Sequence, residues 1–283
     1  MHHDVRRPSV ARIYDWLLGG VDNYPSDHRV GADLLDIAPG SRTGALSNRA
    51  FLRRAVHVLA RDYGIRQFLE HGCGLPARDN VHEVAQAVAP DARVVYVDND
   101  PLVVAHARTR LVENPRTAVV DADVRDTAAI FADPAVRRLI RPDEPTAALF
   151  VSVAQCLGDE DVTPMIERVK QRLAPGSFVV LCQFTSPYAD VRERVTRLMR
   201  EATDGSWGRL REEEEVRGYL DGLEIIEPGL GDVAHWRAER RPTLRDAEAE
   251  LIAWGGVGRL PAQALRGAGT SPNSADRDAA RSS

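Results

Sequence analysis

Residues Ile65-Arg66-Gln67-Phe68-Leu69-Glu70-His71-Gly72-Cys73-Gly74 mark the point where the sequence changes its period. Ile65 to Glu70 reads as a short strand, and the glycines after it let the chain turn sharply. Downstream the same alternation recurs. Asn80 to Val88 reads as a helix, Arg93-Val94-Val95-Tyr96-Val97-Asp98 as a second strand, Pro101 to Leu111 as a helix, and Ala118-Val119-Val120-Asp121 as a third strand. Ala147 to Val153 and Ser177 to Phe184 supply a fourth and a fifth strand. A helix from Val162 to Leu173 lies between them, with Thr163 and Pro164 suited to its N-cap and first turn. Strands of nearly continuous apolar residues, alternating with helices across short connections, predict an α/β fold: a doubly wound, mostly parallel sheet covered on both faces.

Upstream of Ile65 only helices are expected. Ser9 can cap a helix whose Val10, Ile13, Leu17 and Leu18 follow helical spacing, and Gly19-Gly20 stops it. Asp33 to Ala38 belongs to a second helix. Phe51, Leu52, Ala55, Val56, Leu59 and Ala60 form the stripe of a third, which Gly64 ends. After Phe184 a helical insertion is expected over about 187–221, including the acidic run Glu212 to Glu215, read as a solvated face. Leu223-Glu224-Ile225-Ile226 and Glu250-Leu251-Ile252-Ala253-Trp254 read as a late antiparallel strand pair at the sheet edge. Residues 267–283 are Gly, Ser, Ala, Asp and Arg with almost nothing apolar, and are expected to be disordered. The organisation is thus a leading helical segment (1–64), a body (65–266) and a tail.

Composition narrows the function. A formal charge of −5 argues against nucleic acid and anionic membranes as partners. No apolar run is long enough to span a membrane, and the start of the chain lacks the apolar core of a signal peptide. Three scattered cysteines make neither a disulfide scaffold nor a zinc site, so no metal and a cytoplasmic location are expected. The oligomeric state is left open, a homodimer included.

In a doubly wound sheet, ligands sit beyond the carboxyl ends of the strands, at the switch point beside the first. Gly72 and Gly74 let the backbone approach a ligand there, and Asp98, closing the next strand, can accept from vicinal ribose hydroxyls. Asn99 follows it. A dinucleotide fingerprint would require a third glycine, which Leu75-Pro76-Ala77 does not supply. Glu70, two residues before the first glycine, would repel a pyrophosphate and suits a cationic amine or sulfonium. This combination is the S-adenosylmethionine (SAM) pattern. Asp121-Ala122-Asp123-Val124 follows the third strand, where the Asp123 carboxylate and the Val124 backbone N–H can read an adenine, and Val153 ends the fourth.

The chain further resembles the actinobacterial SAM-dependent methyltransferase family known as DUF574, within the class I, Rossmann-like methyltransferases. The resemblance rests on Pro8 to Asp15, Leu17-Leu18-Gly19-Gly20, Asp22-Asn23-Tyr24, Asn48 to Ala55, Gly74-Leu75-Pro76, Asn80 to Ala85, Val94 to Pro101, Leu173 to Ser177, Gly222-Leu223-Glu224, Pro228-Gly229 and Trp254 to Arg259. It implies methyl transfer from SAM to a small molecule, with a role in secondary metabolism. It also implies that the N-terminal helices close the pocket as a lid, with Asn23 and Arg49 available to the methionine end of the cofactor and Tyr14 within reach.

The family pattern is altered at Val21, at His71 and Cys73, and at Ala154-Gln155-Cys156-Leu157. These changes keep two alternatives open: a SAM-binding enzyme catalysing another reaction such as cyclisation, and a SAM-sensing protein without turnover. If the acceptor must lose a proton, His71, His82 and Gln155 are the weak candidates for assisting. His82 suits helix packing better, and Trp207, Tyr219, Trp236 and Trp254 suit the core better than a substrate pocket.

Overall fold

The computed structural model describes residues 6–238 and 251–261. Eight strands form one sheet: β1 (Gln67–His71), β2 (Arg93–Asp98), β3 (Thr117–Asp121), β4 (Ala147–Val151), β5 (Phe178–Thr185), β6 (Glu224–Ile225), β7 (Gly231–Asp232) and β8 (Ile252–Arg259). Their order is β3-β2-β1-β4-β5-β8-β6, with β7 also paired to β8. The first five strands are parallel, and β6, β7 and β8 pair antiparallel. The chain order reverses between β1 and β4, so the switch-point crevice opens above these two strands.

Period-two alternation sends successive strand residues into two cores. Phe68, Val94 and Tyr96 face the layer formed by α1 (Val10–Leu17), α2 (Pro25–Ile37), α3 (Ser41–Asp62), α4 (Val81–Val88), α5 (Pro101–Arg110) and α9 (Ala189–Ala202). Leu69, Val95 and Val97 face α6 (Thr127–Ala132), α7 (Pro134–Leu139), α8 (Asp159–Lys170) and α10 (Glu213–Gly218). Helices on both sides of a mostly parallel sheet with late antiparallel strands make the fold Rossmann-like, as expected.

The three leading helices form as the sequence suggests. The Ser9 side chain accepts from the Arg12 N–H to cap α1, and Gly64 leaves α3 at φ +67°. A buried ion pair joins the first two helices: Arg12 Nε donates to Asp27 at 2.9 Å, with both side chains nearly inaccessible. Asp27 also accepts from the Ser9 and Tyr24 N–H groups at 3.1 and 2.8 Å.

One expectation about the elements needs correction. α8 begins at Asp159 behind Gly158, so Thr163 and Pro164 lie inside the helix. Asp159, Glu160 and Asp161 in its first turn favour the earlier start through the helix dipole. The late antiparallel pair forms as expected, β6 against β8 at the sheet edge, and β8 runs on to Arg259 through three glycines, pairing with β5 along its whole length. β7 was not foreseen. Residues 239–250, with Glu250 of the expected late strand among them, and the tail 267–283 lie outside the described residues.

Candidate functional site

A cavity of about 980 Å³ opens at the carboxyl ends of β1, β2 and β4. Its floor is the turn after β1. Gly72 has φ +69° and Gly74 φ +64°, both in the left-handed region where a Cβ is unfavourable. A Cβ at Gly72 would also lie 2.5 Å from Cγ2 of Val153, whereas one at Gly74 would meet nothing within 4 Å. Gly72 and Cys73 both donate their N–H to the Val97 carbonyl, at 2.8 and 3.1 Å, which ties the turn to β2.

Two carboxylates flank this turn. Glu70 is 5% exposed, and burial pushes its pKa up to about 7, with Arg49 opposing the shift and Asp98 adding to it. Asp98 is pushed up as well by burial, although its Oδ2 accepts the Gly74 N–H at 2.9 Å and its Oδ1 the Asp100 N–H at 3.0 Å. Each oxygen keeps a lone pair for a further donor. Asp123 differs: Arg125 holds it below the usual carboxylate range through contacts as short as 2.6 Å.

Of the expected site residues, Glu70, Gly72, Gly74, Asp98, Asn99, Asp123, Val124, Arg49, Val153 and Gln155 all line this one cavity, and Tyr14 joins them. Three do not. Asn23 donates to Asp15 Oδ2 at 2.7 Å and to the Gly20 carbonyl at 2.9 Å, and its Oδ1 meets His28 at 2.6 Å. Asp15 takes the cavity position instead, packed so closely on Gly20 that a Cβ there would fall 2.0 Å from its Oδ1.

His71 is corrected for a geometric reason. β1 extends one residue beyond its expected end, so His71 points to the face opposite Glu70. There it is wholly buried and stacked on Phe150, with ring centroids 4.4 Å apart. Burial pushes its pKa down to about 4, so the ring is neutral. His82 lies in the core, with Nδ1 2.7 Å from the Tyr96 hydroxyl, and packs α4 onto β2. Gln155 reaches the cavity, but its Oε1 accepts the Phe184 N–H at 3.0 Å, which ties the amide to β5. Trp207 lines the cavity, whereas Trp236, Trp254 and Tyr219 are core residues.

Sequence reasoning missed Asn48, Ser152 and the loop 203–209, all of which line the cavity. Asn48 opens the stretch Asn48 to Ala55 that carries the family resemblance, which is the signal that could have found it. Ser152 sits at φ +63°, which nothing in its neighbours announces. The roof over the loop after β4 is fixed by Arg211, wholly buried, which donates to the carbonyls of Ala154 and Leu157 at 2.9 Å each and pairs with Asp159.

The donor and acceptor set fits SAM. A bare glycine backbone allows close approach, Asp98 offers lone pairs to hydroxyls, and Glu70 is a buried carboxylate that a cation would draw into its ionised form. The buried atoms Asn48 Oδ1 and Arg49 Nε have no hydrogen-bond partner.

A family model described as S-adenosyl methyltransferase matches residues 1–261. The fold superposes on a candidate methyltransferase from Thermobifida fusca YX with TM-score 0.83 and 37% identity, covering 91% of this chain and 97% of that one. A DUF574 family protein from Streptomyces avermitilis gives TM-score 0.82 and 34% identity, covering 91% and 99%. Among curated proteins, a trans-aconitate 2-methyltransferase from Methylobacterium radiotolerans is 28% identical over 211 residues, 71% of this chain and 72% of that protein.

Proposed function

The chain belongs to the S-adenosyl methyltransferase family, and we propose that it methylates a small molecule of the kind secondary metabolism supplies. Its cofactor is SAM, which when bound supplies an electrophilic methyl group on a cationic sulfonium. The reading is carried by one observation: Glu70, Gly72, Gly74 and Asp98 converge on a cavity that continues past them to Phe184, Met199 and Trp207. A volume near the top of the range for small-molecule sites (roughly 300–1,000 Å³) leaves room for a second molecule beside the cofactor.

The residues divide the work. Asp98, with Asn99 beside it, would hold the ribose; Asp123 and the Val124 N–H the adenine; Glu70 would balance the sulfonium charge; and Arg49 would face the carboxylate. Ionised Glu70 balances a cation in a site that water does not flood, where the charge interaction is stronger than in bulk solvent. Ile13, Leu17, Leu52, Phe184 and Met199 give the acceptor apolar walls that exclude water and orient it. Burial pushes the Cys156 thiol up to about 12, which disfavours its thiolate form.

No helix among the described residues is long and apolar enough to cross a membrane. The test is to incubate the protein with methyl-labelled SAM and a cell extract separated by molecular size. Label is expected in the low-molecular-mass fraction. Label only in protein or nucleic acid, or in no fraction despite SAM binding, would refute the small-molecule reading.

A further inference from the structure

Two consecutive residues of α3 reach the cavity, and each carries a buried polar atom without a partner: Oδ1 of Asn48 and Nε of Arg49. Neighbouring contacts set their hydrogen-bonding sense. Asn48 Nδ2 donates to the Tyr14 hydroxyl oxygen at 2.7 Å and to Ser152 Oγ at 2.8 Å. The Tyr14 hydroxyl donates its single proton to the Ala45 carbonyl at 3.2 Å, and burial pushes its pKa up to about 12. It therefore stays protonated and has only lone pairs left for Asn48. With the Tyr14 proton on Ala45, a reversed amide would set its oxygen against the Tyr14 lone pairs, so the network assigns the carbonyl oxygen as the unused end.

Ser152 takes part in this arrangement from a left-handed conformation that disfavours a side chain and is common at ligand sites. On Arg49, one outer nitrogen donates to the Asp79 carbonyl and Asn80 Oδ1 at 3.3 and 3.1 Å, which leaves Nε unused. Asn48 thus meets the end of β4, while Arg49 meets the start of α4 beyond the β1 turn. The pair bridges the crevice between β1 and β4 with an acceptor on one residue and a cationic donor on the next.

An ammonium beside a carboxylate is the complement of that pair. We propose that Asn48 and Arg49 clamp the α-amino-acid end of SAM, Asn48 Oδ1 accepting from the α-ammonium and Arg49 facing the α-carboxylate. Asn48 is then the residue that makes the site select ligands bearing the ammonium. The inference rests on the reading of the cavity as the SAM site. Buried polar atoms are rarely left unpaired, and this ligand end pairs both.

Calorimetry with three probes tests the clamp. S-adenosylhomocysteine carries the whole amino-acid end, its deaminated analogue keeps only the carboxylate, and methylthioadenosine has neither group. Wild type is expected to prefer S-adenosylhomocysteine over the deaminated analogue by about tenfold to a hundredfold, as for a hydrogen bond to a charged group. Asn48→Leu should abolish that preference and leave methylthioadenosine affinity unchanged, which also shows the variant to be folded. Arg49→Met should instead erase the preference of the deaminated analogue over methylthioadenosine. A preference that survives Asn48→Leu, or equal weakening of all three probes, would overturn the clamp. Wild type binding none of the probes would overturn the cofactor reading beneath it.

Discussion

Alanine at Gly72 and alanine at Gly74 should have unequal costs, and the structure gives the difference. Both glycines sit at positive φ, +69° and +64°, so a Cβ at either pays about 1–2 kcal/mol for the left-handed conformation. At Gly74 nothing lies within 4 Å of that Cβ, and the cost ends there. At Gly72 the methyl would stand 2.5 Å from Val153 Cγ2 and 2.9 Å from Val153 Cβ, well inside the ~3.5–4.0 Å of a normal carbon contact. Relieving that overlap in a packed site adds about 1–3 kcal/mol. Gly74→Ala should therefore lose about 1–2 kcal/mol and Gly72→Ala about 2–5, read from urea unfolding followed by tryptophan fluorescence. The Val153→Ala background removes Cγ2 but keeps the Cβ at 2.9 Å, so the added cost of Gly72→Ala should shrink there while staying above that of Gly74→Ala. Equal costs for the two glycines, or an excess that Val153→Ala does not relieve, would refute the reasoning.

Other outcomes follow from the charges. Glu70 titrates near 7 in the folded protein against 4.5 for an ordinary glutamate, so the native state holds this proton more tightly than the unfolded chain. Its effect on stability is most favourable below pH 4.5 and is lost as pH rises to 7, by about 3 kcal/mol, and Glu70→Gln should remove that slope. SAM affinity should run the other way, about tenfold stronger at pH ~8 than at ~6, because the cation favours ionised Glu70, and a flat profile in wild type would contradict it. Asp27→Ala leaves Arg12 buried without its carboxylate and should cost about 3–5 kcal/mol by thermal or urea unfolding. His71→Phe, outside the cavity and stacked on Phe150, should leave SAM affinity within about twofold in the same calorimetric assay.

The body of the fold is legible in the sequence because burial on both sheet faces forces apolar strand interiors, as in Val94 to Val97 and Leu149 to Val151. β8 was harder to read. Gly255, Gly256 and Gly258 weaken any strand signal, yet each admits a close neighbour: a Cβ would stand 2.0 Å from the Leu181 carbonyl oxygen, 2.7 Å from Leu230 and 2.8 Å from Leu223. Long-range packing, which local propensity does not encode, makes these glycines necessary.

The site divides in the same way. Glu70, Gly72, Gly74 and Asp98 could be placed because strand ends and turns are local features. His71 was misplaced by a single residue of strand length, which in a period of two reverses its face. Asn23 fell outside because Asp15 and Gly20 engage it, a contact set by how the chain leaves α1. Asn48 and Ser152 meet across 104 positions of sequence, so their hydrogen bond exists only once α3 has docked above β4.

Calorimetric titration of wild type and Asp98→Ala with SAM tests the central claim most directly. The account predicts micromolar binding to wild type at one site per chain, weakened at least about thirtyfold in Asp98→Ala through loss of the ribose contacts. Undiminished binding by Asp98→Ala, or no binding by folded wild type, would contradict the placement of the cofactor in this cavity.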